Sequence, residues 1–246
     1  MHGLFRREQT PYTQLNCFSP PVMIATFVIE IVLVVYTVWR YKLDVLSRLI
    51  TATLFFLGLF QLSEYFVCGG AGLSASTWSR TGYVAITMLP PLGLHILHVI
   101  AKRPARNLVA TAYATGAGFA GYFLAYSQAF TGYQCTGNYV IFQLAETTML
   151  AHRVYYFGWL AIALLLGGYW LRKRADLSAA QRQSIWGMIA GYLVFIVPAT
   201  VVVTIKPEAM SGIPSIMCGF AVLFALILVF YISPRLGKRR SAESRS

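Results

Sequence analysis

The chain has 246 residues, 57% of them hydrophobic and only 11% charged, with a formal net charge of +12. A soluble domain carries about 25% charged residues, so this balance excludes an ordinary soluble fold and leaves room for one helical domain with no separate soluble one. The positive charge does not point to nucleic acid, because fifteen of the twenty Lys and Arg fall in four clusters that punctuate apolar stretches (residues 40–48, 102–106, 172–182 and 235–245).

Seven apolar runs are predicted, near 21–39, 49–68, 82–101, 108–128, 154–171, 185–204 and 214–233. Each is about the length one helix needs to cross a bilayer core of ~30 Å. The expected fold is all-α, a polytopic seven-transmembrane-helix bundle. The four basic clusters occupy every second connection, and only Arg6, Arg7, Arg80, Arg153 and Lys206 fall on the other side. By the positive-inside bias the N-terminus is outside and the C-terminus cytoplasmic. The expected layout is an outer tail at 1–20, a membrane domain at 21–234 with an outer cap at 129–153, and a basic cytoplasmic tail at 235–246. The partner this implies is the lipid bilayer, with each basic residue near anionic headgroups worth about 1 kcal/mol; no nucleic acid is implied.

Taken in order, the first twenty residues are polar up to Pro20-Pro21, without the apolar core of a cleavable signal peptide. Span 1 carries Glu30 near its middle and ends on Trp39-Arg40-Tyr41-Lys42, an interfacial anchor. Span 2 carries Gln61, Glu64 and Cys68 at i, i+3 and i+7, one polar strip on one helix face. Span 3 holds Pro90 and Pro91, which supply no amide hydrogens and so leave the carbonyls near Ile86 and Thr87 without helical donors. A kink is expected there, with Glu30 at similar depth as a candidate donor. His95 and His98 follow at i, i+3 in the inner half of the span; they read as hydrogen-bonded interior groups, with pH sensing or haem ligation as lesser readings. Span 4 is rich in Ala and Gly and is expected to be central and closely packed. The connection 129–153 is expected to be a partly helical cap, with Glu146, His152 and Arg153 each solvated at the surface or, as the alternative, lining one pocket with Glu64 and the cysteines. Span 6 contains Pro198, a second kink site, and span 7 reads as uninterrupted. No sensor output domain follows span 7, and span 7 has no Lys for a retinal Schiff base.

The four cysteines, Cys17, Cys68, Cys135 and Cys218, all fall on or near the outer side. One disulfide is expected, from Cys135 to Cys17 or to Cys68, and the spacing leaves the choice open. Cys218 reads as a small buried residue. No CxxC, HExxH, GxSxG or phosphate loop occurs, and no metal or cofactor is expected. Ionisable groups within spans are costly, which makes Glu64, with Gln61 and Cys17, and Glu30 the candidate ligand or proton site.

Cys17-Phe18-Ser19 before span 1 and Phe60-Gln61-Leu62-Ser63-Glu64-Tyr65 late in span 2 resemble a group of uncharacterised bacterial multi-pass membrane proteins, which start on Cys-Phe-Ser and carry Gln-x-x-Glu in the second helix. The likeness covers the first third of the chain, and sixteen residues precede the Cys here. It implies fold and a bacterial inner-membrane location, and draws attention to Cys17, Gln61 and Glu64. Spans 2–4 are also similar, more loosely, to seven-helix sensor regions ahead of some histidine kinases. The leading functional expectation is a non-enzymatic ligand-sensing bundle, or a subunit of a larger complex with a membrane-protein partner. A small-solute or proton carrier using Glu30 and Glu64 is the alternative, and an intramembrane enzyme with a Cys or carboxylate/His site the third.

Overall fold

The structure is a computed structural model and describes residues 20–69, 72–135 and 140–238. Cys17 and the basic tail beyond residue 238 lie outside the described residues.

Seven helical spans are long and apolar enough to cross a membrane. They comprise α1 (Pro20–Arg40), α2 (Val45–Gly69), the pair α3 (Ala75–Thr87) and α4 (Leu89–Ala101), α5 (Arg106–Ala125), α6 (Glu146–Lys173), α7 (Ala179–Ile205) and α8 (Ile213–Leu226). The last span continues through a π-helical turn, Ile227–Ile232, into the short α9 (Ser233–Leu236). The bundle's apolar outer surface is wide: Leu165 and Ile205 are each 72% exposed.

α2 is the hub, packing on α1, α3, α4 and α8. Its buried residues include the polar set Ser47, Thr53, Gln61, Ser63 and Glu64. Hydroxyls there satisfy themselves locally, as where Ser63 donates to the Leu59 carbonyl at 2.7 Å.

The third span breaks at Met88, between α3 and α4, where Pro90 and Pro91 enter the first turn of α4. Pro91 cannot donate to the Thr87 carbonyl. The sequence suggested Glu30 as a replacement donor. Instead the Tyr155 hydroxyl from α6 donates to Thr87 O at 2.7 Å, and neither carboxyl oxygen of Glu30 has a partner. Pro198 lies inside α7 without ending it.

Three further expectations are corrected. Span 4 is peripheral: 17% of the apolar window of α5 is buried, against 72% for Ala75–Ala101. Of its glycines, only Gly116 faces a neighbour at close range, and a Cβ on Gly118 or Gly121 would meet nothing within 4 Å. Small residues permit close approach but do not compel it. Span 7 is not uninterrupted, because it widens into the π turn just ahead of Pro234, where the Ser233 hydroxyl donates to Leu228 O at 2.8 Å. The 129–153 cap is not a partial helix up to residue 144. It is an antiparallel hairpin of β1 (Phe130–Cys135) and β2 (Val140–Leu144), after which α6 begins at Glu146, eight residues before the predicted span. The residues explain this. Val140, Phe142 and Leu144 alternate into the interior, giving a period of two where a helix needs 3.6.

The basic connections gather at one end. There Arg103 pairs with Asp176, the Lys42 amide donates to Lys238 O, and Gln181 at the start of α7 donates to Ile100 O. The hairpin lies at the other end, joined to α2 by a disulfide between Cys68 and Cys135.

Candidate functional site

At the hairpin end, α3, α6 and α8 converge beneath β2. Phe142 is 2% exposed and packs against Phe60 of α2 and Tyr83 of α3, with ring centroids 5.9 and 5.5 Å away. The hairpin thus inserts a side chain into the bundle instead of lying over it. Its backbone is anchored too: the Val140 amide donates to the Ser215 hydroxyl of α8 at 3.3 Å, and Ser215 is also hydrogen-bonded to the Glu64 carboxyl. With one proton, the Ser215 hydroxyl accepts from the amide and donates to the carboxyl.

Glu64 and Glu30 are both buried, at 1% and 0% exposure. Glu30 Cβ lies 3.7 Å from where a Cβ on Gly58 would stand, so Glu30 meets α2 about two turns before Glu64. Helical side chains lean toward the N-terminus of their helix. α1 and α2 run antiparallel, so Glu30 leans toward the hairpin end and Glu64 leans away from it. The two carboxyls therefore lean toward each other along the α1–α2 contact, within electrostatic reach of each other and of the Cys218 thiol on α8. Both oxygens of Glu30, Glu64 Oε1 and Gln61 Nε2 lack hydrogen-bond partners.

A cleft of about 40 Å³ opens between α6 and α8, with Tyr83 and Ile86 of α3 behind it. His152, Arg153 and Tyr156 of α6 and Met217 and Cys218 of α8 form its walls. Its mouth is flanked by Phe157, 37% exposed. The expected surface position of His152 is overturned: it is 5% exposed, because α6 starts early and carries it into the bundle. Aromatic rings of Tyr83, Phe119, Phe123, Tyr155 and Tyr156 surround it at 5.4–6.0 Å. The Thr87 hydroxyl spends its proton on Tyr83 O at 2.6 Å, so its 2.9 Å contact with His152 is one in which imidazole Nε2 donates. His152 Nδ1 is then left as the acceptor in the neutral ring. Arg153 donates to Met210 O at 3.1 Å. Tyr83 lines the cleft and lies within electrostatic reach of both Arg153 and Glu64. A second, deeper space of about 20 Å³ shares Tyr156, Met217 and Cys218 with the cleft and continues toward Tyr192, whose hydroxyl is buried without a partner.

Of the residues singled out in the sequence, Glu30, Gln61 and Glu64 are all buried, the two acids within electrostatic reach of each other, and Cys68 bonds to Cys135. His95 and His98 go separate ways. His95 Nδ1 lies 3.2 Å from the Tyr113 hydroxyl on α5, whereas His98 bonds to Leu94 O and sits edge-on to Trp170 of α6. Cys218 is free and buried. Among the described residues no group of three His, Cys, Asp or Glu is arranged to hold a metal ion. Tyr83, Tyr156 and Ser215 were missed. Tyr156 stands four residues after His152 and so shares its helix face, a signal that could have marked it. Ser215 and Tyr83 look ordinary in the sequence. No family model matches the chain, and no curated protein matches it either.

Proposed function

We propose that this chain is a multi-pass protein of the bacterial inner membrane, with the hairpin end outside and the basic end in the cytoplasm. Its function on this reading is to bind a small amphipathic molecule, as a ligand-sensing bundle or as the binding subunit of a larger membrane complex. The basic clusters at one end support the orientation, and the likeness of residues 17–19 and 60–65 to bacterial multi-pass proteins supports the location. The observation that carries the binding role is the side cleft between α6 and α8. It has apolar walls of Ile86, Met149, Ile213, Pro214 and Met217, a guanidinium at Arg153, and a mouth on the exposed apolar face beside Phe157. Such a mix of mostly apolar lining with few polar groups is what small-molecule sites use. About 40 Å³ accommodates a headgroup or a few waters, so the polar end of the ligand would enter while its apolar body lies along the helices. A guanidinium selects an acidic or strongly accepting headgroup.

The subunit form of the reading draws on α5, where Ala110, Ala114, Gly118 and Gly121 are exposed and a Cβ on Gly118 or Gly121 would meet nothing within 4 Å. A stoichiometric partner after mild detergent extraction would support it.

The binding reading is tested by purifying the protein into lipid nanodiscs, extracting small molecules and comparing wild type with Met217→Trp, whose indole fills the cleft. An acid-bearing amphiphile should be enriched with the wild type and reduced about tenfold or more in the variant, a loss of at least ~1.4 kcal/mol. Identical extracts from both would refute it.

A further inference from the structure

We infer that Glu30 and Glu64 form a proton-exchanging pair, separate in function from the ligand cleft but connected to it through Tyr83. Two ionised carboxylates within electrostatic reach of each other, both buried in an apolar bundle, are prohibitively unfavourable without a counter-charge. None is supplied. The ion pair between Arg103 and Asp176 is the only one among the described residues, and it is at the opposite end of the bundle.

The groups facing the pair from each neighbouring element are these. On α1 and α2 the basic residues Arg40 and Arg48 are at the far end of the helices from Glu64. α8 contributes Ser215 and the Cys218 thiol, and no charge. α3 contributes the Tyr83 hydroxyl; its Arg80 makes no ion pair with either acid. On α4, His95 and His98 turn to Tyr113 and Trp170 instead. From α6, Arg153 lies within electrostatic reach of Tyr83 and donates to Met210 O. The pair can therefore hold two protons and be neutral, or hold one and carry a single negative charge.

The unpartnered atoms fit that exchange. A structural carboxyl would be expected to use its acceptors and its proton, as buried polar groups do in the great majority of cases. Here three carboxyl oxygens and the Gln61 amide nitrogen are buried without a hydrogen-bond partner. A proton leaving the Glu30 O–H can be taken by the open Glu64 Oε1, and Gln61 Nε2 can donate to whichever carboxyl is ionised. The exit is toward the cleft. Tyr83 lines the cleft and lies within electrostatic reach of Glu64, and the cleft has room for water to accept the proton as hydronium. The reaction is a transfer from a carboxylic acid to water, leaving a carboxylate shared by the pair, and it needs no other reagent.

The test is infrared difference spectroscopy of the purified protein in nanodiscs across acid to alkaline pH and on H₂O/D₂O exchange. The protonated-carboxyl C=O stretch should titrate in the wild type and shift on deuteration. Glu30→Gln and Glu64→Gln should each remove part of that band and move the titration midpoint of the part that remains. Monodisperse elution and unchanged helical circular dichroism verify folding, with Glu30→Asp and Glu64→Asp as backups that keep the acid. A band that neither titrates nor exchanges would make the carboxyls permanent structural donors and overturn the inference. So would a midpoint for either acid that ignores removal of the other. Neither readout depends on ligand in the cleft, so the two proposals fail separately.

Discussion

Tyr155→Phe isolates one hydrogen bond whose need is set by covalent chemistry. Pro91 has no amide hydrogen, so Thr87 O relies on the Tyr155 hydroxyl at 2.7 Å, and both residues are buried, Thr87 at 0% and Tyr155 at 7% exposure. Removing the hydroxyl keeps the ring and its packing against Phe119, 4.9 Å between centroids, but leaves a buried carbonyl unpaired. That loss costs about 1–3 kcal/mol. Pro91→Ala supplies an amide hydrogen four residues after Thr87, in position to bond the same carbonyl. In that background Tyr155→Phe should therefore cost less, with a coupling energy on the order of 1 kcal/mol. The assay is equilibrium unfolding of the four proteins of this cycle in mixed micelles, titrated with a denaturing detergent and followed by circular dichroism. If Tyr155→Phe is neutral, or costs as much in the Pro91→Ala background as in the wild type, the carbonyl does not depend on the tyrosine and the account of the broken span is wrong.

Gly191→Ala should destabilise by about 1–3 kcal/mol in the same assay, because its Cβ would stand 2.3 Å from the Phe224 ring across the α7–α8 contact. Gly118→Ala on α5 should be neutral or stabilise by up to ~1 kcal/mol, since nothing lies within 4 Å of the added methyl and Ala is the better helix former. Equal effects at the two positions would contradict the peripheral placement of α5. Cys135→Ser removes a bridge that spans 67 residues and should lower stability by about 2–4 kcal/mol; the wild type should fall to the variant's level on reduction, and a reductant-insensitive wild type would count against the bridge. Thr87→Val should destabilise by about 1–3 kcal/mol by stranding the His152 Nε2–H in a ring of aromatics, and Thr87→Ser should restore it; a Val variant as stable as wild type would reverse the assigned donor.

The seven spans were legible because a 17–21-residue apolar run has few other uses, and each run corresponds to a helical span in the structure. Their ends were harder to place. Residues 146–153 are too polar to join an apolar run, yet they are the first two turns of α6 because the helix continues past the apolar zone. The hairpin is marked only by the alternation of Val140, Phe142 and Leu144, a five-residue signal that is short beside seven apolar runs. Span 4 was misplaced because composition reports what a helix permits, and among its small residues only Ala112 and Gly116, the latter with Tyr155 against it, are buried. The proximity of Glu30 and Glu64 was not readable, since they lie on different helices and the meeting depends on how α1 is set against Gly58. The cleft was the least legible part. Its walls come from α3, α6 and α8, and no local pattern ties Tyr83 to Arg153 or Met217.

The central claim is that the cleft between α6 and α8 is a binding site, and a density map of the wild-type protein in native-lipid nanodiscs tests it most directly. The expected result is density for a non-protein molecule between Arg153 and Met217, its polar end at the guanidinium and its apolar body emerging beside Phe157. A well-ordered map in which Met217, Tyr156 and Phe157 close over the space and leave no such density would contradict the account.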